Sequence, residues 1–556
     1  MAEGELVVAQ PWGVQLFRNL ETFPGQVLTT PPVMSMRQET KKARKDIVRA
    51  ARHVERFSEH VRGGIDKKTD MVVGANIRVH ARPDFDTLGL DWKLKKPFAQ
   101  ALERQFVLWA NDPRLLQDAE RHYNFGGLSW LGFRNLTGPD GEVAGIIHYS
   151  EKRRRKYGGK WATFVQILDP DRIETPPEKV DNKNIVDGKR LDQWGAMESM
   201  FVRKNHPAEG WDGTPEFTEV PREDKNGRPV GFHWFVKTRA GQLRGVSTLV
   251  TILKQTGMLD KFDDTYLAAA TINQLLATWI KSAADSETVA EDIAPAGEAG
   301  ADQTWGFGAK LDYYKQVKMR VGGARIPVLP PGDSIEMTAV NRAIDDPTAF
   351  RNGFLRAFAS AIGVSFEQLS LNFSDANYSA ARAAIVEIWR GVMRMRAFYC
   401  AHVLSLIYAA VVEEAIMRGY VELPAGAPPF QENRAAYTAC EWTGPGMPQI
   451  DPQKEANAEK TKLESKTLSR QEAIAARGGD YLEVFDQIEQ ERMEAEERGF
   501  TLDPLAPGTP GANEEQPDAE TPDEGNDQGE SKPSKSGSKQ GPSKKDGDGD
   551  GIIDEE

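Results

Sequence analysis

The stretch "RAGQLRGVSTLVTIL" at residues 239–253 decides how the chain is read. Gly241 and Gly245 lie in a loop with Arg239 and Arg244, and the loop runs into apolar residues at helical spacing. Such a loop could grip phosphate, because the first N–H groups of a helix have no intrahelical partner and its dipole favours an anion. It could equally be mechanical, with Gly245 allowing a sharp turn and Ser247 capping the helix that follows. The rest of the chain has to decide between a nucleotide enzyme and a structural part.

Working outward, residues 247–281 contain no proline, and Leu249, Ile252, Leu253, Leu259, Phe262 and Tyr266 recur at mostly helical spacing. Residues 282–345 are rich in Gly and Pro, a shorter helix is expected at 346–362, and a polar loop "GVSFEQLSLNFSDAN" at 363–377 follows. A second long helix is expected from Ser379 to about Arg418. Upstream, 35–62 reads as a basic helix with a solvated face, "MVVGANIRVHA" as a strand and 97–123 as helical, while short strands dominate 125–245. The basic cluster "EKRRRKYGGK" at 151–160 reads as a solvated loop. The charged segment 451–498 reads as two helices parted at Gly478 and Gly479. The fold class is therefore α+β and mainly helical.

Charge and chemistry are equally restrictive. The net charge of −13 is concentrated in residues 501–556, which alone carry −10, so the remainder is nearly neutral. A protein that holds nucleic acid statically needs a basic excess, because neutralising phosphates supplies most of the affinity. No Gly-x-x-x-x-Gly-Lys-Ser/Thr loop, His-Glu-x-x-His, Cys-x-x-Cys or Gly-x-Ser-x-Gly is present, so catalysis has no support and no cofactor is expected. The ending "DGDGDGIIDEE" places Asp546, Asp548 and Asp550 like the first ligands of a calcium loop, but the twelfth position is missing, and an acidic disordered tail is the better reading. Two cysteines, Cys400 and Cys440, argue for a reducing compartment or for no dependence on disulfides. The 16 uncharged residues 397–412 fall short of the roughly 20 needed to span a bilayer, so a buried helix is expected. No export signal is visible in the first 20 residues.

Three stretches carry a resemblance. "FVKTRAGQLRGVSTLVTIL" (235–253), "FEQLSLNFSDANYSAARAAIVEIWR" (366–390) and the charged segment 450–500 are together similar to the portal proteins of tailed bacteriophages, in the lambda branch, with weaker support from "QILDPDRIETP" and "LPPGDSIE". The resemblance covers residues 35 to 500. It implies a homododecameric ring at one capsid vertex, assembled in the host cytoplasm and carried in the virion. Its implied partners are the terminase large subunit, the major capsid protein, a head-completion or adaptor protein, and double-stranded DNA passing through the bore. It also implies a layout: an N-terminal arm (1–33), a wing (34–245), a first stem helix (246–281), a clip (282–345), a second stem helix (346–363), a tunnel loop (364–378), a long helix and wing return (379–450), and crown helices (451–500). The acidic tail (501–556) follows.

On that reading Gln368, Ser370, Asn372, Ser374, Asp375 and Asn377 line the channel, being uncharged or acidic groups that pass phosphates with exchangeable contacts. Gln242, Arg244, Gly245 and Ser247 form a wing–stem junction or subunit contact, with Arg244 paired to a carboxylate. The opening loop is then mechanical, not phosphate-binding. The alternatives are a metal-dependent DNA-processing enzyme of packaging, or a capsid scaffold without a DNA channel.

Overall fold

The computed structural model describes residues 34–75, 77–209, 214–275, 279–282, 333–336, 347–373, 378–449 and 451–499. The arm, most of the clip, Ser374, Asp375 and Asn377, and the tail with Asp546, Asp548 and Asp550 lie outside them. The chain divides into two compact units, 1–486 and 487–556.

The first unit is a mixture of helix and sheet. The basic stretch 35–62 is not one helix: α1 (Met36–Phe57) ends at Ser58, which caps α2 (Glu59–Val72) by accepting from the Val61 N–H. Ser35 opens α1 with a capping box completed by Gln38, satisfying two orphan backbone donors. The helix α2 takes over the start of "MVVGANIRVHA", leaving only β1 (Arg78–Ala81) as strand. Helix α3 (Lys95–Ala110) ends before the expected boundary, and 125–137, read as strand-rich, is instead α4 (Phe125–Thr137), capped by Asn124. Its glycines at 126, 127 and 132 hid it; Gly132 is required because a Cβ would meet the Tyr399 hydroxyl at 2.5 Å.

Two sheets follow. In the first, β2 (Val143–Tyr149) lies between β3 (Thr163–Leu168) and β8 (Gly231–Trp234), antiparallel to both, with Ile146 opposite Gln166 and Gly231. The cluster expected to be a loop, 151–160, begins instead with a short helix, α5 (Glu151–Lys156), capped by Ser150. The second sheet orders β4 (Ile185–Val186), β5 (Lys189–Leu191), β6 (Met197–Arg203) and β7 (Phe217–Pro221) as successive antiparallel neighbours. Apolar residues of both sheets, among them Ala144, Leu168, Met200 and Val220, share one core.

The stretch 247–281 is a 3₁₀ turn at Thr248–Thr251 and then α6 (Leu253–Leu275), after which β9 (Trp279–Ser282) pairs with β10 (Asp333–Glu336). Helix α7 (Pro347–Ile362) and the short α8 (Phe366–Ser370) precede α9 (Tyr378–Tyr399). That helix continues through a π-turn at Cys400–Leu404 into α10 (Ser405–Met417). Ser379–Met417 is long and apolar enough to cross a membrane, but 67% of its most apolar window is buried, and Val403, Leu404, Tyr408 and Val411 form the centre of the main core with Phe106, Trp109 and Phe133. It is a core helix, as its composition led one to expect. A second core joins Ala51, Val61 and Ile65 to Leu249, Leu259, Phe358 and Leu369. The strand β11 (Cys440–Thr443) returns to pair with β1. Three helices close the described chain, α11 (Pro452–Glu464), α12 (Arg470–Ala476) and α13 (Tyr481–Glu497), where two were expected; Ser469 starts the extra one with a capping box. In the second unit, Arg498 pairs with Glu494 at 3.4 Å.

Candidate functional site: a buried arginine junction and the segment before the long helix

The opening stretch folds around one carboxylate. Glu142, at the start of β2, is fully buried and accepts from Arg244 Nη2 at 2.5 Å, Arg44 Nη2 at 2.7 Å and the Gly245 N–H at 2.6 Å. Arg244 also donates to the carbonyls of Ile173 (2.9 Å) and Pro170 (2.7 Å). A guanidinium offers five donors in a rigid plane, and here they tie β2, the turn after β3 and the approach to α6 into one block. Burial alone would raise the Glu142 carboxyl; Arg244, Arg44 and the nearby His233 outweigh it and hold it well below the usual carboxylate range.

Gln242 and Ser247 complete the junction. Gln242 Nε2 donates to the Arg244 carbonyl at 2.8 Å, and its Oε1 accepts from the Thr238 N–H. Ser247 Oγ accepts from the Leu249 N–H, capping the 3₁₀ turn, and donates to the Gly138 carbonyl at 3.0 Å. Gly245 is needed for a reason other than a left-handed turn. It is absent from the positive-φ residues, whereas Gly241 has φ +78°; what Gly245 permits is close approach, since a Cβ there would sit 2.2 Å from the Gly141 carbonyl oxygen. Arg244 finds its carboxylate within the chain, and no phosphate-gripping loop is formed: the Gly245 N–H is already taken by Glu142.

The junction extends to groups that sequence reasoning missed. Lys189 Nζ donates to His233 Nδ1 at 2.8 Å and to the Leu243 carbonyl, while His233 Nε2 lies 3.1 Å from Glu142. Burial, with Arg244 adding to it, pushes the Lys189 ammonium down to about 7; burial and Lys189 push His233 down to about 3. On the outer side Arg52 binds Asp140 (2.7 Å), Asp169 (3.0 Å) and Asp171 (2.8 Å). Burial raises Asp140 to about 6 against the pull of Arg52. Asp169, Asp171 and His206 could offer three metal ligands within 4.8 Å of one another, but Arg52 already binds both carboxylates and Arg44 shares Asp171 at 3.1 Å. The signal in the sequence was weak: Glu142 is one acid at the mouth of an apolar run, and its partners come from positions 44, 233 and 244.

The segment before α9 is more ordered than a polar loop. Ser365 and Gln368 form a capping box that starts α8, Ser370 Oγ bonds back to the Phe366 carbonyl at 2.8 Å, and Lys67 Nζ donates to the Gln368 carbonyl. Leu369 is buried against α2, where a Cβ on Gly64 would meet it at 2.8 Å. Gln368 and Ser370 therefore spend their side chains on local structure, with Gln368 Nε2 also 3.6 Å from Met71 Sδ. Beyond them Leu371, in the left-handed region at φ 55°, turns the chain, and Leu371, Asn372 and Phe373 are exposed.

Residues 27–396 match the model of the phage portal protein family, lambda family. The chain is 30% identical to the portal protein of Escherichia phage N15 over 458 residues, 81% of this chain and 85% of that one. It is also 30% identical to portal protein B of Escherichia phage lambda, over 80% and 83%. The chain belongs to the lambda family of phage portal proteins. A probable portal protein of Halomonas phage phiHAP-1 is 22% identical over 77% of each chain. Among solved structures, a chain from the neck of an empty gene transfer agent particle aligns at a TM-score of 0.36 and 13% identity, over 78% of this chain and 94% of that one. Two of the three resembling stretches, 235–253 and 366–390, fall inside the family match; the charged helices 450–500 lie beyond its end at 396.

Proposed function

We propose that this portal-family chain assembles as a closed ring of identical copies, a dodecamer by resemblance, at a single capsid vertex. DNA enters through the ring under the terminase motor and later leaves by the same route. Its partners on this reading are the terminase large subunit, the major capsid protein and a head-completion or adaptor protein, and assembly takes place in the host cytoplasm before the ring becomes part of the virion. The role is structural, with energy supplied by a partner. The layout of wing, stem, clip, tunnel loop and crown belongs to this proposal, as do a channel role for Gln368, Ser370, Asn372, Ser374, Asp375 and Asn377 and a wing–stem role for Gln242, Arg244, Gly245 and Ser247.

The observation that carries the reading is the 30% identity to two phage portal proteins over four fifths of the chain. Physical chemistry supports it. A near-neutral body lets a duplex slide, because a strongly basic lining would hold each phosphate. The exposed Leu371, Asn372 and Phe373 carry no positive charge that would hold a passing phosphate. Electron microscopy of the purified protein tests the proposal: class averages should show rings with a central hole wide enough for duplex DNA. A protein that stays monomeric at every concentration, or that shows nuclease or ATPase activity, would overturn it.

A further inference from the structure

Two exposed faces of the chain match each other in chemistry. The outward side of α9 presents Ala383, Val386, Arg390, Met393 and Ala397 at alternating spacings of three and four, the repeat of a helix seam. Met393 is 47% exposed, and Arg394 stands beside the stripe, also exposed. Arg390 pairs with Glu387 on the same helix, at 3.0 Å with both side chains 75% exposed. This face is apolar with a positive flank.

The second face lies where α1 passes into α2, next to α6. Phe57 is 69% exposed and packs at a tilt on His53, with ring centroids 4.7 Å and planes 51° apart. Glu59 follows it by two residues, and Asp260 of α6, which carries Asp263 and Asp264 on the same helix, lies within electrostatic reach of Glu59 and His53. Burial and the neighbouring Asp263, Asp264 and Glu59 raise the Asp260 carboxyl, while His53 opposes them. Arg351 reaches Glu59 at 3.9 Å and Asp263 at 3.6 Å, distances of loose pairing. This face is an exposed phenylalanine with an acidic flank.

Within one copy the Met393 end of the stripe is held away from Phe57. Arg396 ties α9 to the C-terminal end of α2 by donating to the Met71 and Val72 carbonyls. Glu59 begins the same helix, 13 rises away, or about 20 Å. We propose that the α9 stripe of one copy docks on the Phe57–Glu59–Asp260–Asp264 face of the next, with Met393 and Val386 covering Phe57 and Arg390 and Arg394 meeting the acids. Because the faces differ, the contact is head-to-tail, the kind that closes into a ring or runs on as a filament. The inference rests on the ring reading and specifies which surfaces make the ring.

The test reverses charge on each face separately. Arg390→Glu with Arg394→Glu sets acid against acid at every contact, and Asp260→Lys with Asp264→Lys sets base against base. Each variant alone should lose at least tenfold of its ring population by sedimentation and electron microscopy. An equimolar mixture should regain rings, because copies that alternate around an even-numbered ring restore opposite charges at every contact. Phe57→Ala should weaken assembly while leaving the unfolding midpoint of the free chain in place. If wild-type rings form and any of these variants assembles as wild type does, or the mixture fails to regain rings, the pairing is wrong and the ring reading stands. If wild-type protein forms no ring at any concentration, the ring reading falls and this inference falls with it.

Discussion

Arg244 and Glu142, 102 residues apart, share a buried ion pair in which one carboxylate also serves Arg44 and the Gly245 N–H. Removing one partner of such a pair leaves an uncompensated charge out of water, at a cost of about 3–5 kcal/mol. Glu142→Gln strands two guanidinium groups at once and should lower folding stability by that amount in denaturant titration. A loss below about 1 kcal/mol, the range of surface pairs, would mean that the two arginines find other acceptors.

Gly245 and Gly353 make opposite predictions for the same substitution. A Cβ at 245 would meet the Gly141 carbonyl oxygen and the Glu142 Cβ, backbone that cannot swing aside, so Gly245→Ala should destabilise by about 1–3 kcal/mol. Gly353 lies inside α7 with nothing within 4 Å of its would-be Cβ. There Gly353→Ala should stabilise by about 0.5–1 kcal/mol through lower unfolded-chain entropy and better helix propensity. Thermal unfolding of the two variants side by side decides the matter.

Much of this was legible locally and little of it was legible across distance. The 3.6-residue spacing within 247–281 and 379–418 marks real helices at Leu253–Leu275, Tyr378–Tyr399 and Ser405–Met417, although Trp279–Ser282 is strand where helix was expected, and Ser247 caps where its position suggests, because periodicity and caps are properties of neighbouring residues. Helix α4 was missed because its glycines argue against helix locally, while Tyr399 demands Gly132 from 267 positions away. Gly245 was rightly singled out for the wrong reason, since turn geometry can be read from a dipeptide and contact with Gly141 cannot. His233, Lys189 and Arg44 looked like isolated charges; only the pairing of β2 with β8, and the packing of α1 beside it, turns them into a network.

The half-buried Glu103 and the buried Lys189 should make stability depend on pH in opposite senses. Glu103 accepts the Ala81 N–H at 2.7 Å, and burial pushes its carboxyl up to about 7. The folded chain then holds that proton more tightly than the unfolded one, whose value is about 4.3, so this contribution falls as the pH rises from about 4 to about 7. Glu103→Gln should gain on wild type over that window. Lys189, pushed down to about 7, binds its proton less tightly folded than unfolded, so its contribution rises between about 7 and about 10.4. Lys189→Met should flatten that upper limb. Unfolding midpoints across the range check both, and parallel curves for wild type and variant would refute the corresponding shift.

The segment between α8 and α9 separates anchoring from function. Gln368 and Ser370 hold α8 closed through the Ser365 capping box and the Phe366 carbonyl, and Leu369 fixes it to α2. Deleting 371–375 leaves those anchors in place and removes the uncharged, exposed Leu371, Asn372 and Phe373 together with Ser374 and Asp375. Rings should therefore assemble as before, while particles built on them retain less packaged DNA, because Asn372, Ser374 and Asp375, three of the six residues proposed to contact the duplex, are gone. Replacing Gln368 with Ala instead removes one half of the capping box, and should lower stability by about 1 kcal/mol. If the deletion packages and retains DNA normally, the channel role of this segment is wrong, and if rings fail to form its role is in assembly.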